Sequence, residues 1–170
     1  MLTVSFSDGT VVDIEDEVLA TLCSYEQRLA WSQEAGGILV GKKLLGEEHY
    51  VLSAASTPTK RDRRTRFSFT RSKQSAQTII DKHWKVSGGV ENYIGEWHTH
   101  PERNPHPSGP DKALIKQVIA DRSSPFPKVI LIIVGQNATF YIGLAKVQGT
   151  GDISTYKHIE VKYEHIRSKK

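Results

Sequence analysis

The chain has 170 residues and a net charge of +4, with 38% hydrophobic and 25% charged residues, which suits one soluble domain with a single core. It has no apolar run of eighteen residues and no signal-peptide core, so we expect neither a membrane span nor secretion. Its only cysteine, Cys23, cannot form an internal disulfide, which favours the reducing cytoplasm.

Strand and helix patterns alternate along the chain. Strands are expected at residues 2–7 and 10–14, on either side of an Asp8-Gly9 turn, and at 36–41, 49–57, 93–100, 128–135, 137–147 and 156–166. Helices are expected at residues 15–31, 72–85 and 111–121, where apolar residues recur at helical spacing. The order predicts one α/β domain over residues 1–170, a curved mixed sheet of about eight strands wrapped by three helices, with 168–170 as a frayed tail.

The most informative stretch is Gly95-Glu96-Trp97-His98-Thr99-His100-Pro101. Side chains two residues apart on a strand point to the same face, so His98 and His100 can reach one ion. Pro101 cannot extend a central strand, so the pair is expected at the end of its strand, where a site can open to substrate. Trp97 should face the opposite way and pack into the core.

A third metal ligand is available where the next helix starts. Asp111 opens an apolar helical run, and the helix dipole favours a carboxylate in the first turn. The pattern Ser108-x-x-Asp111 is also that of an ordinary capping box, so taken alone it has a structural explanation. Combined with the histidine pair, it predicts one zinc ion per chain, bound by His98, His100 and Asp111. Such a ligand set leaves the fourth position open for water, as in a catalytic site.

These residues resemble the signature of the JAB/MPN (JAMM) family of zinc isopeptidases, which remove ubiquitin and ubiquitin-like proteins. The match consists of His98-Thr99-His100-Pro101 with Ser108 and Asp111, and of the upstream Glu34-Ala35-Gly36-Gly37-Ile38-Leu39-Val40-Gly41. Thr99 stands where serine is common in the family. The resemblance covers about residues 18–143 and implies a cytidine-deaminase-like JAB/MPN fold.

The resemblance also implies catalytic roles for two residues. Glu34 would be the general base that takes a proton from water and passes it to the departing lysine nitrogen. Ser108 would donate a hydrogen bond to the oxyanion, although a serine that caps a helix is less free to do so. Glu34 can act only if the strand at 36–41 lies beside the strand at 93–100, and the sequence by itself does not establish that neighbourhood.

Within the family, the chain is most similar to the bacterial JAB peptidases of CBASS anti-phage operons. The similarity rests on the compact domain, the Arg-rich segment and the Gly-Glu-Trp-His-Thr-His-Pro setting. It implies a protein substrate in the cytoplasm, either a ubiquitin-like tag or a CD-NTase, whose C-terminal tail is joined to a lysine. Some prokaryotic relatives suggest a variation, the release of sulfur-carrier or amino-acid adducts.

Two alternatives from other classes stay open. The chain could be an inactive MPN-type scaffold that binds partners. It could also bind nucleic acid through the basic segment 60–73, where Phe67 and Phe69 offer rings for stacking. A single cluster of charges is weak support for nucleic acid, and steering an acidic protein partner is the more usual function of such a segment.

Overall fold

Residues 1–162 are described by a computed structural model, and they form ten strands and three helices. The strands are β1 (Leu2–Ser5), β2 (Val11–Ile14), β3 (Gly36–Lys43), β4 (His49–Ala55), β5 (Arg63–Arg64), β6 (Phe69–Thr70), β7 (Asn92–Thr99), β8 (Lys128–Val134), β9 (Thr139–Lys146) and β10 (Ile153–Glu160). The helices are α1 (Asp16–Ser24), α2 (Lys73–Val86) and α3 (Gly109–Ala120).

Eight of these strands form one curled mixed sheet in the order β1-β2-β4-β3-β7-β8-β9-β10. The β2–β4 and β7–β8 pairs are parallel and the other pairs in this sheet are antiparallel. Strands β5 and β6 form a separate small hairpin. This architecture confirms the predicted α/β class with a curved mixed sheet and three helices.

The helices cover both faces of the sheet. Buried side chains of α1 join one core cluster, while those of α2 and α3 join a second cluster on the opposite face. All seven residues of β8 are buried, with Ile132 in the first cluster and Leu131 and Ile133 in the second. A strand covered on both faces has no polar side, which explains why this segment is a continuous apolar run in the sequence.

The first helix is shorter than predicted, ending at Ser24 instead of residue 31. Beyond it the chain turns, and Gln27 is fully buried, donating hydrogen bonds from its side-chain amide to the carbonyls of Ser32 and Arg66. Leu29, part of the apolar stripe that predicted the longer helix, is 51% exposed, and Trp31, the predicted last residue of that helix, is 77% exposed. The buried amide contacts of Gln27 therefore replace a further helical turn that would have had little to pack against.

The last strand also differs from the prediction. It begins at Ile153, three residues earlier than expected, and pairs with β9 through an irregularity next to Ser154. The end of the predicted strand at 163–166 and the predicted tail at 168–170 lie outside the described residues.

A bulge in β7 decides which side chains reach the helices α2 and α3. In the β3–β7 ladder, Gly95 pairs with Leu39 and Tyr93 pairs with Val40, so Ile94 is an extra residue on β7. After this bulge Trp97 packs into the α1 face of the core, as predicted, and His98 lies beside Ile133 on the opposite face. Without the extra residue, side chains alternating strictly from Tyr93 would have placed Trp97 on the α2 and α3 face of the sheet and His98 on the α1 face.

Cys23 is buried in α1. Burial, reinforced by the nearby Glu26 carboxylate, raises the pKa of its thiol to about 12. The thiol therefore stays protonated at neutral pH, which fits a packing role and not that of a nucleophile. Within residues 1–162, no helix combines the length and the apolar composition required to cross a bilayer.

Candidate metal centre

The three residues predicted as metal ligands lie together at the end of β7 and the start of α3. The two Nε2 atoms of His98 and His100 are 3.1 Å apart. One carboxylate oxygen of Asp111 lies 3.2 Å from His98 Nε2, and the other lies 3.4 Å from His100 Nε2. Two imidazole lone pairs and a carboxylate therefore face one small volume.

These distances can be compared with what zinc requires. Zinc bonds of about 2.0–2.1 Å to nitrogen and oxygen place neighbouring ligand atoms of a tetrahedron about 3.3–3.4 Å apart. The 3.1 Å between the two imidazole nitrogens and the 3.2 Å from His98 to one Asp111 oxygen are close to such edges, while the 3.4 Å from His100 runs to the other Asp111 oxygen. The donor chemistry thus fits a tetrahedral ion, and one position stays open when Asp111 binds through a single oxygen.

Glu34 reaches the same centre from the segment just before β3. Its side chain is buried, and a carboxylate oxygen lies within 4.8 Å of the ring nitrogens of both His98 and His100. The strand neighbourhood on which this depends is present, because Gly36 pairs with His98 in the β3–β7 ladder. Asp111 lies closer to the imidazoles, so it is the better candidate for a ligand and Glu34 for a group that acts beside the ion.

Burial and hydrogen bonding set the charges at this centre. Burial, the largest influence, raises the pKa of the Glu34 carboxyl, and the two imidazoles only partly oppose it. For Asp111, burial also opposes the charge, but hydrogen bonds with His100 and His98 outweigh it and hold the pKa well below its usual range. Asp111 therefore stays ionised, as a ligand must, while Glu34 is the more basic carboxylate.

Ser108 and Asp111 form a complete capping box at the start of α3. The Ser108 hydroxyl oxygen accepts from the Asp111 N–H at 3.3 Å, and an Asp111 oxygen accepts from the Ser108 N–H at 2.6 Å. Capping occupies a lone pair of the serine oxygen, and the Ser108 side chain also hydrogen-bonds the Asp111 carboxylate, which helps to lower the pKa of Asp111. The conflict between capping and donating to a substrate, expected from the sequence, therefore remains, and a variant has to resolve it.

Glu102 contributes to the centre and was missed in the sequence. Its carboxylate lies 3.0 Å from His100 Nδ1. A carboxylate at that position favours the proton on Nδ1, which would leave the Nε2 lone pair for a metal ion, as in many zinc sites. The only sequence signal was an acidic residue two positions after a ligand, which is too common to be informative.

Thr99, the departure from the family pattern, holds the segment that bears Glu34. Its hydroxyl accepts from the Ala35 N–H at 3.0 Å and donates to the Gln27 side chain at 2.9 Å, and its N–H donates to the Ala35 carbonyl at 2.8 Å. Threonine supplies the same hydroxyl as serine, so the substitution keeps these contacts. Gln27 lies within the helix predicted at 15–31, outside its apolar stripe, and its buried position could not be recognised from the pattern.

The Arg-rich segment 60–73 contacts the rest of the protein through several of its arginines. Arg64 donates to the carbonyls of Glu34 and Gln33 at 2.8 and 3.4 Å, and Arg66 donates to the carbonyls of Leu29 and Ala30. The Glu34 N–H in turn donates to the Thr65 carbonyl at 2.7 Å. These contacts indicate that much of the basic run holds the Glu34 segment in place, which weakens the case for a nucleic-acid surface.

The chain is similar to several known proteins. The profile of the prokaryotic homologs of the JAB domain matches residues 16–143. A protein of Pseudomonas aeruginosa named "CD-NTase/cGAS isopeptidase" is 35% identical over 151 residues, covering 89% of this chain and 92% of that protein. A "probable metalloprotease" of Sinorhizobium fredii is 38% identical over 72 residues, covering 42% of this chain and 44% of that protein.

A solution structure of a protein from Desulfitobacterium hafniense has a similar fold, with a TM-score of 0.55 over 88% of this chain and 90% of that one. Its sequence identity of 19% supports the fold alone. The family profile carries more weight, because it spans the segment from Glu34 to Asp111, and the Pseudomonas aeruginosa relative matches most of both chains. The chain belongs to the prokaryotic branch of the JAB-domain family.

Proposed function

We propose that this protein is a zinc-dependent isopeptidase that releases a CD-NTase from lysine side chains of target proteins, in bacterial anti-phage signalling in the cytoplasm. The observation that carries the proposal is the buried Glu34 carboxylate within 4.8 Å of both imidazoles, beside Asp111. The relatives named "CD-NTase/cGAS isopeptidase" support the choice of substrate.

Each residue of the centre has a separate task in amide hydrolysis. A zinc ion held by His98, His100 and Asp111 would supply a Lewis acid that activates water and polarises the scissile carbonyl. Glu34 accepts a proton from the attacking water and delivers it to the departing lysine amine. Its raised pKa suits this task, because a carboxylate with more affinity for a proton removes one more readily. Ser108 donates its O–H to the carbonyl oxygen as negative charge develops there.

The proposal is tested with a CD-NTase whose C-terminal carboxyl is joined to a lysine of a carrier protein. We expect the zinc-loaded protein to produce free CD-NTase and unmodified carrier, seen by intact mass spectrometry. In ¹⁸O water, the new C-terminal carboxyl should gain ¹⁸O, which identifies hydrolysis. Chelation should stop the reaction and added zinc restore it. Bound zinc without cleavage of this conjugate would instead favour the scaffold alternative.

Replacing Ser108 with glycine should lower kcat by about 10²–10³-fold, because one oxyanion donor is lost. Glycine is the matched choice since at an N-cap it costs only a few tenths of a kcal/mol, whereas alanine costs about 1 kcal/mol. Turnover and the free energy of unfolding are measured on Ser108→Gly and on Ser108→Ala. Equal kcat in wild type and Ser108→Gly would show that the hydroxyl serves only the cap.

Replacing Arg64 with alanine should lower kcat by about tenfold to hundredfold, because small displacements of a catalytic group have effects of that size. The guanidinium holds the carbonyls on either side of the Glu34 N–H. Arg64→Lys should not restore the rate, since one ammonium group cannot reproduce the pair of hydrogen bonds that the planar guanidinium makes to the two carbonyls. Zinc content should not change. The exposed neighbour Arg63 gives the control, and an equal loss in Arg63→Ala would point to a general charge effect.

A further inference from the structure

Gln27 is a fully buried polar residue in the segment that follows α1. Burying a side-chain amide costs free energy unless the amide is hydrogen-bonded, and an apolar side chain of similar size would fill the same space without that cost. The amide nitrogen donates two hydrogen bonds and the amide oxygen accepts one, so the cost is met. Packing alone therefore does not require a glutamine at this position.

The hydrogen bonds of this amide run in one fixed direction. The Ala35 N–H donates to the Thr99 hydroxyl oxygen at 3.0 Å, and the Thr99 O–H donates to Gln27 Oε1 at 2.9 Å. The Gln27 amide nitrogen then donates to the carbonyls of Ser32 and Arg66, at 3.1 and 2.8 Å. Because a backbone N–H stands at one end and two carbonyls stand at the other, the amide can face only one way.

Each partner of the amide lies close to a group that forms or holds the metal centre. Thr99 stands between the two proposed histidine ligands, and Ser32 lies two residues before Glu34. Arg66 follows Thr65, whose carbonyl accepts from the Glu34 N–H at 2.7 Å. The buried amide thus connects the end of the ligand strand, the segment that bears the proposed base and the turn between β5 and β6.

The segment that carries Gln27 is also connected to the other side of the centre. The Gln136 side-chain amide donates to the Gln27 carbonyl at 3.0 Å, and the Gln136 N–H donates to the Glu102 carbonyl at 2.8 Å. Glu102 in turn contacts His100 Nδ1. We propose, resting on the isopeptidase function, that Gln27 is a positioning residue that sets where the Glu34 carboxylate lies relative to the metal ligands.

The test replaces Gln27 with methionine, which has a similar volume and cannot form the three hydrogen bonds. At saturating zinc, and at a temperature where the variant is fully folded, kcat should fall about tenfold to hundredfold because the base is displaced. KM and zinc content should stay near the wild-type values, since the metal ligands themselves are unchanged. Gln33→Met makes the same change at an exposed glutamine beside Glu34 and should keep the wild-type kcat. A wild-type kcat in Gln27→Met would overturn the assignment.

A second background separates positioning from a general loss of structure. In Glu34→Gln the proposed base is absent, so adding Gln27→Met should change the residual rate by less than about twofold. A residue that only stabilises the fold would lower the rate by the same factor in both backgrounds, and that result would overturn the inference. If Gln27→Met does not fold, Thr99→Val removes the contact from the partner side while Thr99→Ser keeps it. An equal kcat in these two variants would also count against the inference.

Hydrogen exchange of the zinc-loaded protein without substrate separates this inference from the proposed function. The amide hydrogens of Glu34 and Ala35 should exchange at least about tenfold faster in Gln27→Met than in wild type, while those of β8 keep their rates. Unchanged exchange at Glu34 and Ala35 would overturn the positioning role even if conjugates are cleaved. Faster exchange in the variant, without cleavage of any conjugate by wild type, would support the positioning role and reject the isopeptidase function.

Discussion

Replacing Glu34 with glutamine is expected to reduce isopeptide cleavage by at least about 10²–10⁴-fold, the usual contribution of a general acid–base group. Glutamine has the same shape, so the backbone contacts of this residue to Thr65 and Arg64 remain. It cannot accept a proton from water, nor deliver one to the amine. Single-turnover rates at saturating zinc measure the loss, and the metal content measured alongside should stay at that of wild type.

A matched control is Glu102→Gln, which removes a carboxylate on the other side of His100. That change should weaken zinc binding by about 10–100-fold, because such partners orient the imidazole, while the rate at saturating zinc changes little. A lost rate with normal zinc content in Glu34→Gln, and weakened zinc binding with a normal rate in Glu102→Gln, would identify Glu34 as the base and Glu102 as a positioning residue. A Glu34→Gln protein that cleaves at the wild-type rate would exclude Glu34 as the base and with it the proposed mechanism.

Replacing His98 with alanine is expected to abolish zinc binding and cleavage together. The wild-type protein should gain about 5–10 °C in melting temperature at a zinc concentration a hundredfold above its Kd, since ligand binding then adds about 2.7 kcal/mol to stability. The variant, which lacks one of the nitrogens 3.1 Å apart, should gain little. Melting curves with and without zinc, together with metal analysis, measure this effect independently of turnover.

The Asp111→Asn variant separates the role of Asp111 in capping α3 from its role as a zinc ligand. An asparagine oxygen can still accept from the Ser108 N–H and preserve the start of α3, but the charge that complements zinc is lost. The variant should therefore keep the melting temperature of the zinc-free wild type and lose most of the zinc-induced increase. If His98→Ala retained stoichiometric zinc and full activity, the metal centre would have to lie elsewhere and the ligand assignment would fail.

Local patterns were sufficient to predict much of the fold. The central strands β7 and β8, and the helices α2 and α3, were predicted close to their observed bounds because hydrophobic periodicity and turn residues act over a few neighbours. Because these signals act only over a few neighbours, they also explain why the end of α1 was predicted wrongly. The extent of α1 depends on Gln27, whose partners Arg66 and Thr99 are distant in sequence, so no window around the helix contains the reason for its end.

Local spacing was enough to identify the candidate donor atoms of the centre: His98 and His100, two residues apart at the end of a strand, and Asp111 in the first turn of a helix. Their meeting depends on contacts between distant segments. The extra residue Ile94 in β7 turns His98 towards α3, and the β3–β7 register brings Glu34 to the imidazoles. A bulge and a strand register are set by pairing between segments that are far apart in the chain, and the spacing of residues within one segment does not encode them.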